Sequence, residues 1–299
     1  MDERDYPLSD RNLNKAGLKR DARPMWSRIN PAWWLVLPIV VVIGGLYILP
    51  LLSVLKLSLT DPKPGIGNYE RLLTSQATLR VFVTTLRICA ATTIITIVLG
   101  FIVALALTRL RGIHQRLLIV GVIMPLWISV IVRGLSWLVI LRDNGLLNDW
   151  LIGFGFTGEP IHFVNRELGV VIGMVHYSLP YGILPMFATM RGIDQRLLFA
   201  SQSLGANART TFLRVFFPLA LPGVFAATLL VFVFGLGFYV TPSLLGGGRV
   251  VMLAESISVY ILATARWGLG GAQAVLLFVL TMSLIGILSK TVGLRKGLG

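Results

Sequence analysis

The sequence has almost none of the residues that build disulfide frameworks and metal centres. Cys89 is the single cysteine among 299 residues, so disulfides within the chain and cysteine-based metal sites are excluded. The three histidines, at 114, 162 and 176, show no ligand spacing, and no metal site is expected. Acids and histidines do not cluster at catalytic spacing, and no glycine-rich phosphate loop is present. A membrane-embedded enzyme and ATP hydrolysis by this chain are therefore both disfavoured.

Charge is also scarce. Charged residues make up 13% of the chain, against about 25% in soluble domains. Hydrophobic residues make up 55%, and the mean hydropathy is +0.80, so lipid must form part of the solvent. The net charge of +14 would normally suggest nucleic acid as a partner. The basic residues flank apolar runs instead of forming one basic face, so the expected partner is the bilayer, with no nucleic acid.

The apolar runs predict an all-α, polytopic membrane protein with about six transmembrane helices. A bilayer core of about 30 Å needs about 20 apolar helical residues. Runs of that length predict spans at 34–55, 88–108, 117–141, 169–190, 223–245 and 267–289. Only the third span contains a charge, Arg133. The spans belong to one transmembrane domain, residues 31–299, preceded by a polar N-terminal tail, residues 1–30.

The distribution of Lys and Arg predicts both termini on the cytoplasmic side. Seventeen of the twenty-seven basic residues fall on the segments that this orientation places inside. Most acids outside the tail fall on the opposite loops. A signal peptide is the competing interpretation of the first run, but the run is long, follows a long polar tail and lacks a small-residue cleavage site. The expected location is the bacterial inner membrane, with multiple crossings.

The segment 191–222 is too organised for a simple linker. Asp194 can cap a helix that begins at Gln195, and Gly205 can supply the left-handed conformation that ends it. Asn207 can cap a second short helix. Pro218 and Pro222 are expected to interrupt the entry into the fifth span. This helix–Gly–helix elbow could lie on lipid as an amphipathic hairpin. It could also insert into a groove on a soluble partner.

The elbow resembles the EAA loop of bacterial ABC importer permeases, in which a Glu-Ala-Ala triplet precedes a glycine and a Leu-Pro tail at fixed intervals. Two positions depart from the pattern: Phe199 replaces the usual Glu, and Ser201 replaces the second Ala. The resemblance implies contact with an ATPase subunit through Phe199, Ala200, Ser201, Leu204, Gly205, Ala206 and Pro218. The loss of the Glu implies a more apolar contact at that position.

The resemblance extends over nearly everything after the tail. Pro125-Leu126-Trp127, Arg133 with Trp137, and Asp143-Asn144-Gly145-Leu146-Leu147-Asn148 are similar to the third span and following loop of spermidine/putrescine-type permeases. The pattern of Arg133 with Trp137 followed by Asp143–Asn148 favours the first, PotB-like, of the two permease subunits in that family. The implied fold is the type I (MetI-like) importer permease. The implied partners are an ATPase dimer that binds ATP and Mg, a second, PotC-like permease subunit and a periplasmic solute-binding protein. No cofactor is expected on this chain itself.

The resemblance also suggests that spans two to five line the substrate path. The candidate path residues are Trp127, Arg133, Trp137, Tyr177 and Tyr181. Their aromatic faces could bind an amine by cation–π contact, although Trp and Tyr also form interface belts. Arg133 either serves function, as intramembrane charges often do, or snorkels toward the outer interface or pairs with a loop acid. A polyamine is the expected solute. Another small solute of this importer class (opine, amino-acid-like or phosphonate) stays open, and a stand-alone secondary transporter is disfavoured because the spans hold no carboxylate.

Overall fold

The computed structural model describes residues 32–296, and side chains within 36–287. The expected N-terminal tail, residues 1–30, lies outside the described residues. Every regular element in the part described is helical, which confirms the all-α prediction. The thirteen α-helices are α1 (Ala32–Thr60), α2 (Gly67–Thr74), α3 (Gln76–Arg109), α4 (Gly112–Ile123), α5 (Val130–Ile140), α6 (Leu146–Gly153), α7 (Glu167–Arg191), α8 (Gln195–Ser203), α9 (Ala208–Thr211), α10 (Phe217–Leu236), α11 (Val240–Gly246), α12 (Leu253–Ser258) and α13 (Trp267–Lys296).

Five helical stretches of the described chain are long and apolar enough to cross a membrane, and a bent pair raises the number to six. The five are Val36–Thr60, Gln76–Arg109, Glu167–Arg191, Ala208–Leu236 and Trp267–Ile287. The described residues up to 51 belong to one unit of the chain, and those from 52 onward belong to another. Within the described part of that first unit, side chains from residue 36 onward are exposed except at Gly44 and Gly45.

The third predicted span is not one continuous helix. The pair Gly112–Trp127 and Val130–Ile140 is bent by 102° at a short break. A 3₁₀ turn, Met124–Trp127, precedes the break. Pro125 lies in this turn and cannot donate a backbone hydrogen bond, so the helix does not continue through it. The run predicted as a third span at 117–141 is thus divided into two helices joined at a bend.

The second and fifth spans differ in their limits. α3 begins at Gln76, twelve residues before the expected Ile88, because Ser75 caps it and accepts a hydrogen bond from the Thr78 backbone N–H at 3.4 Å. The fifth span was expected at 223–245, but α10 ends at Leu236 and a separate helix, α11, follows from Val240. Glycines at 235 and 237 surround the point where α10 stops, and glycine weakens a helix by about 1 kcal/mol relative to alanine.

The two prolines do not interrupt the entry into the fifth span. The stretch Ala208–Leu236 is continuous helix that includes a π-helical segment, Phe212–Phe216. Pro218 lies in the first turn of α10, where its missing N–H disturbs the hydrogen-bond ladder least. The π segment closes with a backbone bond from Phe217 N–H to Phe212 O. Pro222 is accommodated inside α10.

Helices α3, α7 and α10 pack against one another to form the centre of the second unit. One buried cluster near one end of these helices contains Cys89, Met174, Leu236 and Met252. A second cluster near the other end contains Leu107, Met186, Phe216 and Ala220. The elbow adjoins this second cluster, since Leu198 and Phe212 pack against it.

Candidate functional site

The elbow has the local structure that its sequence predicts. The Asp194 carboxylate accepts a hydrogen bond from the Arg196 backbone N–H at 2.9 Å and caps α8. The Asn207 side chain accepts one from the Thr210 N–H at 2.8 Å and caps α9. Each cap pairs one of the amide groups that a helix start leaves free.

Gly205 ends α8 in a left-handed conformation, with φ of +87°. The Ala206 N–H donates to Ser201 O at 3.1 Å, and the Gly205 N–H donates to Gln202 O at 2.9 Å. This is the Schellman arrangement, which pairs the last carbonyls of a helix and places glycine at the left-handed residue. The turn direction between α8 and α9 therefore depends on Gly205.

A side-chain contact joins the two helices of the elbow. Ser201 Oγ and Thr211 Oγ1 are 2.6 Å apart and share a hydrogen bond. The family's usual Ala at position 201 could not make it. The departure at Ser201 thus adds a polar connection between α8 and the start of the fifth span.

Aromatic side chains attach the elbow to the second span. Phe101 of α3 packs against Phe212 at 6.4 Å and against Phe217 at 5.9 Å between ring centroids. Phe212 also stacks on Phe216 at 5.6 Å. Each aromatic contact of this kind stabilises the fold by about 0.5–1.5 kcal/mol, in addition to the stabilisation from burying apolar area. A displacement of α9 is therefore passed to the spans with little loss.

The outer face of the elbow is apolar and uncovered within the described chain. Phe199 is 62% exposed and Leu204 is 89% exposed. Ala200, Gly205 and Pro218 are also exposed, and Ser201 and Ala206 are partly so. Exposed apolar side chains grouped on a short element are typical of a surface that meets a partner.

Spans four and five approach each other closely next to the elbow. A Cβ at Gly223 would stand 2.6 Å from Thr189 Cβ and 3.2 Å from Pro185 O. Only glycine permits this distance between the two helices. The elbow therefore joins two spans that are in close contact, with little space between them.

The candidate path residues group together, with one exception. Arg133 Cζ lies 5.1 Å from the centroid of the Tyr177 ring. Tyr177 stacks on Tyr181 at 5.6 Å, and the Trp137 Nε1–H donates to His176 Nδ1 at 3.1 Å. The sequence analysis missed His176 and the two rings that continue the row from the end of span five, Phe234 and Phe238.

Trp127 does not join this group. Its side chain is 87% exposed and takes part in none of the ring contacts found among residues 36–287. Trp127 lies in the 3₁₀ turn just before the break in the third span. Its path role stays a prediction.

The Arg133 side chain neither extends to the outer interface nor pairs with a loop acid, the two non-functional roles considered for it. It is 6% exposed, and its Nη2 donates to Pro125 O and to Ile128 O, the latter at 3.0 Å. Both carbonyls lie at the break in the third span. Pro125 O also accepts from the Ile128 backbone N–H at 3.3 Å, so Arg133 adds a second partner there and pairs Ile128 O at the bend. An unpaired backbone carbonyl in lipid costs several kcal/mol.

A buried acid lies where the sequence analysis placed a solvent-exposed outer loop. Glu255 of α12 is 7% exposed, and its Oε2 has no hydrogen-bond partner in the described chain. Burial raises the pKa of Glu255, and a backbone hydrogen bond at Met252 opposes the rise. The signal available in the sequence was the apolar run around it, Val250 to Ala254 and Ile257.

These features define a multi-pass membrane permease with an organised elbow between two of its spans. Residues 96–293 match the family model described as "Binding-protein-dependent transport system inner membrane component". The chain belongs to this family. The inner membrane is accordingly its location, with several crossings.

The chain is similar to the spermidine/putrescine transport system permease protein PotB of Haemophilus influenzae, with 35% identity over 64% of this chain and 68% of that protein. The Escherichia coli K12 protein of the same name is 30% identical over 72% of this chain and 78% of that protein. A solved bacterial alginate ABC transporter, crystallised in complex with an alginate pentasaccharide-bound periplasmic protein, shares the fold. Its TM-score is 0.71 at 16% identity, over 88% of this chain and 95% of that one.

Proposed function

We propose that the chain is a permease subunit of an ATP-driven importer that carries a polyamine across the inner membrane. The observation that carries the proposal is the capped elbow with its uncovered apolar face, in a chain similar to PotB permeases at 30–35% identity. Both termini are assigned to the cytoplasm, which puts the elbow on the side where ATP is available. A second permease subunit, a PotC-like chain, completes the path.

A dimer of ATPase subunits binds ATP and Mg and docks on the elbow. Phe199 stands where the family's Glu would make a polar contact, so this docking surface is more apolar than usual. Phe199 and Leu204 present the side chains that enter the ATPase groove, in the helix-in-groove manner. Ala200, Ser201, Gly205, Ala206 and Pro218 shape the elbow that presents them.

Closure of the ATPases pushes the elbow, and the push becomes a rigid-body tilt of spans four and five. The Ser201–Thr211 hydrogen bond and the Phe212 contacts with α3 keep the elbow stiff. The absence of a break before α10 strengthens this coupling, because α9 and the fifth span form one helical rod. Outward- and inward-open states then exchange with the ATP cycle.

The aromatic row formed by Tyr177, Tyr181 and their neighbours lines the path for the solute. An amine binds such faces by cation–π contact, worth about 0.5–2 kcal/mol each. Arg133 Nη2 pairs with backbone carbonyls and the guanidinium lies against Tyr177, so it stabilises the bent span; its Nε and Nη1 have no hydrogen-bond partner within the described chain. Selection of the solute rests mainly on a periplasmic solute-binding protein, the kind of partner with which the alginate transporter of the same fold was crystallised.

Co-purification tests the docking role directly. Leu204→Asp places a charge on the face that is expected to enter the ATPase groove, and the ATPase should be lost from the purified complex. Ile113→Asp is the matched control, since Ile113 is 60% exposed in the first turn of α4, outside the elbow. Retention of the ATPase in the Leu204 variant, or equal loss in both, would contradict the proposal.

A further inference from the structure

A cavity of about 420 Å³ adjoins the elbow. Its elbow wall includes Gln195, Leu198 and Gln202 of α8. Its opposite wall includes the ends of α3 and α7, at Arg109 and Arg191. Any occupant therefore contacts the elbow and two spans at once.

The cavity is strongly positive. Arg109, Arg111 and Arg191 line it, and no acid does. The ion pairs found in the described part of the chain, Arg87 with Glu167 and His162 with Asp143, involve none of the three.

Helix ends do not cancel this charge. Each end carries about half a unit charge, negative at a C-terminus and positive at an N-terminus. The cavity adjoins two helix C-termini, at Arg109 and Arg191, and three helix starts, next to Arg111, Gln195 and Ala208. The partial charges of these ends oppose one another, so the three guanidinium groups leave a net positive charge for a ligand to neutralise.

The lining changes from charged to apolar along the direction of the spans. Leu105 lies one turn before Arg109 on α3, and Phe187 lies one turn before Arg191 on α7; both line the same cavity. One turn of helix rises about 5.4 Å. A positive rim and an apolar interior within that distance match a phosphate attached to hydrocarbon, whereas a free anion needs polar groups on all sides.

We infer that the cavity binds the phosphate head of an anionic phospholipid from the leaflet on the elbow's side. The ends of the second and fourth spans place the arginines at the level of lipid head groups, where basic pockets between helices bind such lipids. The bound lipid joins α8 to the ends of α3 and α7 and holds the elbow against the spans. Its recognition is independent of the transported solute.

The test uses the purified importer complex in phosphatidylcholine nanodiscs, titrated with phosphatidylglycerol and measured by native mass spectrometry. Arg111→Gln should weaken phosphatidylglycerol binding about fivefold, the expected contribution of one arginine near a charged lipid. The triple variant Arg109→Gln, Arg111→Gln, Arg191→Gln should weaken it about a hundredfold. Arg116→Gln, on the same helix but outside the cavity, is the matched control and should leave binding unchanged.

Two further experiments distinguish a bound lipid from a free anion and from an acidic surface of the ATPase. Millimolar inorganic phosphate should fail to displace the lipid, and displacement would show a free-anion site instead. An Arg111→Cys variant should not cross-link to the ATPase subunit, and efficient cross-linking in lipid-depleted complex would assign the cavity to an acidic surface of that partner. Equal weakening in the Arg111 and Arg116 variants would also overturn the inference. If the triple variant fails to assemble, the comparison of the single variants Arg111→Gln and Arg116→Gln decides the question.

Discussion

Replacement of Gly205 by alanine isolates the backbone contribution of the elbow. A Cβ at this position would meet nothing within 4 Å, so the substitution creates no steric clash. The cost comes from φ of +87°, which a non-glycine residue adopts at about 1–3 kcal/mol. At the lower end, about 1 kcal/mol, the equilibrium constant in favour of the native turn falls about fivefold. ATP hydrolysis should then continue while each hydrolysed ATP moves less solute.

The assay is the ratio of spermidine uptake to ATP hydrolysis in proteoliposomes that contain the full importer. Gly205→Ala should lower this ratio about fivefold or more, the effect expected from a cost of about 1 kcal/mol or more. Gly205→Asn is the matched control, since asparagine tolerates the left-handed region better and should retain most of the coupling. An unchanged ratio in the alanine variant, or equal loss in both variants, would refute the reasoning that the left-handed turn transmits the push.

Three further predictions concern the spans and the buried acid. Arg133→Met removes the hydrogen bonds that Nη2 donates to the carbonyls of Pro125 and Ile128 and should lower stability by about 1–3 kcal/mol, seen as a lower Tm. Gly223→Val forces spans four and five apart and should cost a similar amount. Burial raises the pKa of Glu255, so the folded chain binds more protons than the unfolded chain. Stability should therefore fall as pH rises from about 4.3 through the raised pKa, and Glu255→Gln should remove this slope.

Each of these has a control. Arg142→Met removes an exposed arginine and should leave the Tm unchanged, so an equal fall would indicate a general charge effect. Gly121→Val meets nothing within 4 Å and should be tolerated, in contrast to Gly223→Val. For Glu255, a Tm that rises with pH over the same window would show that the carboxyl is stabilised in its charged form, contrary to the prediction.

The elbow could be predicted closely because its signals are local. Asp194, Gly205 and Asn207 each act on backbone groups within a few residues, and capping chemistry can be recognised in one sequence. The number of crossings was also predictable, since uncharged runs of about 20 residues have few alternatives in a bilayer.

The bend in the third span was not predicted, although Pro125 signalled it. An apolar run has the same hydropathy whether it is straight or bent, and a proline inside a membrane helix can be accommodated, as Pro222 shows within α10. The outcome depends on whether another group pairs the freed carbonyls. Arg133 performs that role from the next helix, which the linear sequence does not reveal.

The burial of Glu255 and the separation of Trp127 from the aromatic row are tertiary facts of the same kind. Glu255 lies in a segment between spans that folds back into the protein. Its position in a predicted outer loop therefore suggested an exposed carboxylate, whereas the side chain is buried. Trp127 is close in sequence to Arg133, but the two lie on opposite sides of the 102° bend, and Arg133 contacts Tyr177 whereas no ring contact of Trp127 is found in the described chain. Neither could follow from residue spacing.

ATP-dependent uptake of labelled spermidine by the reconstituted importer tests the central claim most directly. The complex contains this chain, its permease partner and the ATPase, with the solute-binding protein supplied on the opposite side of the membrane. The account predicts accumulation only when ATP is on the elbow's side and the binding protein is present, with loss of uptake in Leu204→Asp. Spermidine accumulation without ATP, or ATP-driven uptake that excludes spermidine and accepts another solute, would contradict it.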